Sequence, residues 1–278
     1  MTPNPELIQR LITEGLIAGH PWKALTGGKT NQLWRVGEVV VKQYRATDDN
    51  PRFPNDPSKE IEILRHLGGH QLAQRLLGHV EHQGVTYLVY RHLNGNTWQK
   101  DAAPVGRLLQ RVHSVPAPSG LRWQLGGSDA LEQHTVQILK SLPKSLAAPV
   151  FEARPKGPAI PPVSAGGLLH GDPVPGNIIT TPEGCRLIDW QCPANGDPVE
   201  DLAIFLSPAM QLIYRGAPLS DAEINEFLRA YNRADVLDRL AQMQPWHHWA
   251  MAAYCAWKVV RGAEEYEPAM KFELDALQ

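Results

Sequence analysis

Between Leu168 and Trp190 the chain can form little except a polar loop followed by a tight hairpin. The stretch reads Leu168-Leu169-His170-Gly171-Asp172-Pro173-Val174-Pro175-Gly176-Asn177-Ile178-Ile179 and is followed by Leu187-Ile188-Asp189-Trp190. Asp172 and Asn177 lie five residues apart in a Pro- and Gly-rich loop, and Asp189 lies seventeen residues beyond Asp172. The two short apolar runs between them read as a β-hairpin, which returns the chain to its start. A carboxylate, an amide oxygen and a second carboxylate therefore converge from two loop ends. That set suits metal-assisted phosphoryl transfer: one carboxylate accepts a proton from an attacking hydroxyl, while the amide and the other carboxylate hold Mg²⁺ on nucleotide phosphates. Taken alone, His-Gly-Asp equally fits a metal-ligand pair or a loop held by its own side-chain hydrogen bonds.

Size and composition set the frame for this loop. With 278 residues, 43% hydrophobic and 20% charged, the chain can bury a large core in one domain or two lobes. A net charge of −2 and a pI near 6.6 give no electrostatic case for nucleic acid or an anionic membrane as partner. Cys185, Cys192 and Cys255 are odd in number and match no common zinc spacing, so reduced thiols are expected. Met1-Thr2-Pro3-Asn4-Pro5 has no basic leader or apolar segment, and no apolar run reaches the length of a membrane span, so a cytoplasmic protein is expected. Residues 141–162 carry prolines at 143, 149, 155, 158, 161 and 162 and read as a loop or insertion. A second Pro- and Asp-rich loop covers residues 48–57.

Upstream, Leu7, Ile8, Leu11 and Ile12 follow Pro5 at helical spacing. Trp22 to Leu25, Gln32 to Val36 and Val39 to Tyr44 then read as three strands. The first turn contains Gly27-Gly28, which either brings backbone amides to phosphates or is an ordinary hairpin turn. Lys42 closes a Val39-Val40-Val41 run and shares a face with Val40; it either meets a buried charge or snorkels from an edge strand. Asp56-Pro57 reads as the N-cap and first residue of a helix. Counting from Glu60, positions +3, +4 and +7 are Ile63, Leu64 and Leu67, so Glu60 lies on the apolar face, whereas Glu62 aligns with Arg65 and His66. Glu60 is thus the carboxylate placed to pair Lys42, or else an acid in the first helical turn. Val85 to Tyr90 alternates as a strand, and Leu108 to His113 is a helical run.

The order and spacing of His170-Gly171-Asp172, Asn177 and Ile188-Asp189-Trp190 resemble the aminoglycoside phosphotransferase and choline kinase-like small-molecule kinases, choline and thiamine kinase-like members included, over roughly residues 20 to 265. The resemblance implies a bilobal protein-kinase-like α/β (α+β) fold, with a small antiparallel-sheet N-lobe over residues 1–92 and a larger, mainly helical C-lobe over residues 93–278. ATP and Mg²⁺ would be the cofactors and a hydroxyl-bearing small molecule the acceptor. Asp172 would be the catalytic base, Asn177 and Asp189 the metal ligands, and Lys42, oriented by Glu60, the phosphate grip beside Gly27 and Gly28. Main-chain groups from Arg91 to Leu93 would meet adenine at the hinge. His113 and Asp201 correspond to structural positions, Asp201 bracing the catalytic loop.

Two departures bear on substrate: Pro173-Val174 replaces a common Leu-His, and Gln191 replaces an acid common in choline and thiamine kinase-like members. Trp246, Trp249, Ala253, Trp257 and Val260 recur at helical spacing and read as core. The same region resembles the alcohol-binding helix of choline kinase-like enzymes, which makes Trp249, Tyr254 and Trp257, with Trp190, candidate substrate contacts by cation–π attraction. Residues 221–278 hold ten Asp or Glu against six Lys or Arg, a modest excess for a polyamine-like aminoglycoside. The expected function is phosphorylation of a choline-, ethanolamine- or thiamine-like alcohol. The alternatives are an aminoglycoside or sugar kinase and a catalytically silent nucleotide-binding pseudokinase.

Overall fold

A computed structural model describes residues 3–25, 30–45, 50–124 and 126–278. In chain order the first elements are α1 (Pro5–Thr13), β1 (Trp22–Leu25), β2 (Gln32–Val36), β3 (Val39–Gln43), α2 (Pro57–His66), β4 (Leu76–His82) and β5 (Val85–Arg91). Next come β6 (Asn96–Thr97), α3 (Ala102–Val112), β7 (Arg122–Trp123), α4 (Ser128–Lys140), α5 (Lys144–Glu152), β8 (Gly167–Leu169), β9 (Ile178–Thr181) and β10 (Gly184–Leu187). The last are β11 (Ala194–Gly196), α6 (Val199–Leu206), α7 (Pro208–Arg215), α8 (Asp221–Tyr231), α9 (Ala234–Val260) and α10 (Tyr266–Asp275). The antiparallel N-terminal sheet and helical C-terminal region make this a mixed α/β fold. No helix among the described residues is long and apolar enough to cross a membrane.

The chain divides into two compact units, one of Met1–Asn96 with Ile179–Cys192 and one of Thr97–Ile178 with Pro193–Gln278. In the first unit five strands form an antiparallel sheet in the order β1-β2-β3-β5-β4. Leu7 and Leu11 of α1 pack on one face against Val36, Val41, Val80, Tyr87 and Val89. Strand residues alternate between faces, so Val40, Lys42, Leu88 and Tyr90 point the other way. That face is covered too, because α2 contacts β4 and β5 and buries Glu60, Ile61, Ile63 and Leu64. The Val-Val-Val run of β3 is therefore apolar on both faces, as a doubly covered central strand requires. Asp56 caps α2, its side chain accepting from the amides of Ser58 and Lys59.

The second unit is built around α9, which contacts α4, α5, α6 and α10 and buries an unbroken run from Trp249 to Trp257. A small sheet in the order β7-β11-β8 brings residue 169 to the start of the His170 loop. Residues 141–162, expected as a loop, contain α5. Pro143 precedes its first turn, Pro149 lies within it, and Ala147 and Val150 are buried, so tertiary burial outweighs the poor helix propensity of proline here.

Helices α3 and α8 meet at Gly106, where an added Cβ would stand 2.5 Å from the Phe227 carbonyl oxygen and 3.1 Å from the Tyr231 amide nitrogen. Alanine is worth about 1 kcal/mol over glycine in an exposed helix, but overpacking of about 1–3 kcal/mol should outweigh it here. Gly106→Ala is expected to lower the thermal unfolding midpoint. An unchanged or raised midpoint would mean that the two helices do not approach this closely.

Candidate active site

In the first unit, alternation along β3 sends Lys42 toward α2, and the helical phase of α2 turns Glu60 toward the sheet. Lys42 Nζ lies 2.5 Å from Glu60 Oε2 and 2.5 Å from Asp189 Oδ1. Lys42 is 1% exposed and Glu60 0%, while 31% of the Asp189 side chain stays accessible. The Tyr44 hydroxyl donates to Glu60 Oε2, and Lys42 Nζ sits 4.6 Å from the centre of the Tyr44 ring. Burial alone would lower the pKa of the Lys42 ammonium, yet Asp189 and Glu60 outweigh it and raise the group's pKa above its ordinary value. Burial raises the pKa of Glu60 against the opposing pull of Lys42, and burial together with the Glu60 charge raises that of the Tyr44 phenol. Glu62 instead pairs Lys59 at 2.9 Å on the solvent side of α2.

Asp189 follows β10 with a left-handed backbone, φ 63°. Aspartate tolerates this region better than most residues, but its neighbours must hold it there. On one side, the Leu187 amide donates to Leu72 O at 2.9 Å, and the Trp190 indole N–H donates to Leu187 O at 3.3 Å. On the other, the Asp56 amide donates to Gln191 O at 3.1 Å.

In the second unit, β8 leads into His170, Gly171 at φ 84° and Asp172. Asp201 of α6 accepts the consecutive amides of His170 at 2.8 Å and Gly171 at 2.9 Å. His113, at the C-terminal end of α3, stands 3.1 Å from Asp201 through Nε2 and 2.8 Å from the Tyr231 hydroxyl through Nδ1. Burial would raise the Asp201 pKa, but hydrogen bonding and charge from His113 and the loop outweigh it and hold the pKa below the ordinary carboxylate value. The Asp172 amide donates to His170 Nδ1 at 3.2 Å. Asn177 Nδ2 donates to Asp172 O at 2.9 Å and Oδ2 at 3.1 Å, and the opposite edge of the amide carries its oxygen.

Taken separately, the Asp189 carboxylate, which stays accessible in the first unit, and the Asn177 amide oxygen, turned from its own hydrogen bonds in the second, are ligand types that suit a hard cation. Among the described residues no group of three or more His, Cys, Asp or Glu could hold a metal unaided.

The other candidates divide. Gly27 and Gly28 lie outside the described residues. The Arg91 amide donates to Arg75 O at 2.8 Å and the His92 amide to Glu38 O at 3.0 Å. Leu93 follows β5 in an irregular segment and is half-buried. Trp190 is fully buried in the first unit. Trp249 is a core residue, fully buried with its indole N–H donating to Val150 O at 2.6 Å. Trp257 stacks on Tyr254 at 5.8 Å, and Arg261 lies 3.8 Å from the Trp257 ring centre, so the protein's own cation already covers that aromatic face.

Sequence reasoning did not single out Tyr214 of α7. A Cβ on Gly176 would stand 2.7 Å from the Tyr214 ring, so the glycine lets the loop that follows His170 rest on it. Burial, then the charge of Asp172, raises the Tyr214 pKa well above its ordinary value, and Tyr214 hydrogen-bonds Tyr266.

The chain matches the model of the phosphotransferase enzyme family over residues 21–246 and belongs to that family. It is 24% identical over 268 residues to thiamine kinase of Salmonella typhimurium strain LT2, a match spanning 91% of this chain and 85% of that protein. The structure of a choline/ethanolamine kinase family protein from Mesorhizobium loti is similar with a TM-score of 0.66 at 18% identity, covering 98% of this chain and 92% of that one. A streptomycin–ATP–APH(2″)-IIa ternary complex is similar with a TM-score of 0.63 at 14% identity, covering 99% of this chain and 97% of that one. These structures share the fold.

Asp201 is more acidic folded than unfolded, so its contribution to stability is present above the unfolded carboxylate pKa and is lost as pH falls through the depressed folded value. Asp201→Asn should flatten the acid limb of the pH–stability curve below about pH 4, by up to about 1.4 kcal/mol per pH unit for the one proton removed. Urea midpoints measured from pH 2 to 7 check this, and identical acid limbs for the two proteins would exclude an ionised brace.

Proposed function

We propose that the protein transfers the γ-phosphoryl group of ATP, with Mg²⁺, to the hydroxyl of a small molecule, and that the acceptor is an alcohol of the choline, ethanolamine or thiamine kind. The observation that carries this reading is the buried Lys42 held between Glu60 and the still accessible Asp189. A cation fixed in this way, next to a carboxylate able to take a metal, matches the polyphosphate of a nucleotide better than any neutral ligand. Similarity to thiamine kinase along 91% of the chain favours the alcohol class over aminoglycosides and sugars.

In this reading residues 1–92 serve the nucleotide phosphates and residues 93–278 carry the catalytic loop. Asp172 orients the acceptor hydroxyl and takes its proton as the oxygen attacks phosphorus. Its carboxylate is steered by the Asn177 amide, and its backbone is fixed by His170 and, through that loop, by Asp201. Lys42 donates to phosphate oxygens and offsets charge passing to the leaving diphosphate, and Glu60 keeps the ammonium aimed. Asn177 and Asp189 would hold magnesium. When bound, the ion would supply neutralisation of the charge on the phosphates.

The acceptor class is tested by assaying ADP release with thiamine, choline, ethanolamine, an aminoglycoside and a sugar. Turnover confined to one of the first three supports the proposal, and nucleotide binding without turnover on any acceptor would replace it with the pseudokinase reading. Asp172→Asn should reduce kcat by about a hundredfold or more while sparing Mg²⁺·nucleotide affinity. Asp189→Ala should remove the gain in nucleotide affinity that Mg²⁺ confers. A fully active Asp172→Asn enzyme, or an unchanged Mg²⁺ effect in Asp189→Ala, would remove the respective role. Glu60→Gln should lower kcat/KM for nucleotide by about tenfold or more, whereas Glu62→Gln, which breaks only a surface pair, should change it little. Equal effects would separate Glu60 from the phosphate grip.

A further inference from the structure

Beside the Lys42 centre, and wholly within the first unit, lies a buried cluster of carboxamides that the reaction does not use. Asn31, directly before β2, donates through Nδ2 to Gln191 Oε1 at 2.9 Å and to Asn55 Oδ1 at 2.8 Å. Its Oδ1 accepts from the Arg45 amide at 3.1 Å and from Asn55 Nδ2 at 3.1 Å. Both donors and both lone pairs of one side chain are thus engaged. Asn55 Nδ2 also donates to Arg45 O at 3.2 Å, and the Asp56 amide donates to Gln191 O at 3.1 Å. Asn31 and Gln191 are 5% and 4% exposed, so these bonds are made away from water, where leaving one unmade is costly.

Four segments meet at this hub: the start of β2, Arg45 two residues beyond the end of β3, the N-cap of α2 that carries Glu60, and the residue two places after Asp189. Asp189 holds a left-handed backbone and needs a fixed exit from its turn. Resting on the nucleotide and magnesium reading above, we propose that Asn31 and Gln191 are positioning residues: the Asn31 to Gln191 bond ties the Asp189 turn to the start of β2 and, through Asn55, to the segment that enters the α2 N-cap, and so sets Asp189 for metal. An amide at position 191 suits this role. Its oxygen accepts from Asn31 without adding a further carboxylate beside the buried Glu60 and the accessible Asp189.

The test is calorimetric binding of ADP with and without Mg²⁺. Gln191→Met removes the acceptor at similar volume and should cut the Mg²⁺-dependent gain in ADP affinity by about tenfold or more, with metal-free ADP affinity unchanged. Gln191→Glu keeps an oxygen for Asn31 and should retain most of the gain. Should Gln191→Met fail to fold, Asn55→Ala, at the half-buried end of the hub, should show a smaller loss of the same kind. An unchanged Mg²⁺ gain in Gln191→Met, or in Asn55→Ala when it stands in, overturns the inference. So does an equal loss in the Met and Glu variants, which would mean that shape rather than the bond matters. If Mg²⁺ has no effect on ADP binding by the unaltered protein, the magnesium reading itself fails and the inference with it.

Discussion

Burying a lysine ammonium costs several kcal/mol unless anionic partners replace its water, and Lys42 meets that demand with two carboxylates from distant parts of the chain. Glu60 arrives from α2 and Asp189 from the turn after β10, eighteen and 147 residues away. Both must be in place at once. Most features of the first unit serve that requirement: the covered sheet face, the Asp56 cap that starts α2, the left-handed Asp189 turn and the carboxamide hub beside it. The cluster sets one ammonium between two carboxyl groups, and Asp189 is the member that stays accessible.

The second unit solves a different problem, holding a polar loop in one conformation without regular structure. Asp201 does so by accepting two successive amides, as an anion at a backbone nest does. His113 and Tyr231 extend that brace into the packing of α3 and α8. Gly171 permits the turn, and Gly176 lets the loop settle on Tyr214. Asp172 is then oriented by contacts that reach back into the helical core.

How much was legible follows from the range of the interactions. The helical phase of residues 60–67 is enough to put Glu60 rather than Glu62 on the sheet side, and period-two alternation is enough to separate Lys42 from Val41. The mixed α/β fold is implied by the family resemblance that the order of the motifs carries. Tyr44, Asn31, Asn55 and Tyr214 were not legible, because polar residues in short loops or at element ends carry no periodicity, and their partners lie up to 160 residues away. The proline-rich segment was misread for the complementary reason: local propensity argues against α5, and only the burial of Ala147 and Val150 shows why it forms. The tryptophan stripe divides the same way, since spacing cannot tell Trp249, bonded to Val150 in the core, from Trp257, whose face is covered by Arg261.

The measurement closest to the central interaction is the titration of the Lys42 ammonium by nitrogen-detected NMR, assigned with Lys42→Arg. If Glu60 and Asp189 together outweigh burial, Lys42 stays protonated through its ordinary value of 10.5 and titrates only above it. A midpoint well below 10.5 would mean that burial prevails, and would contradict a lysine held charged between two carboxylates.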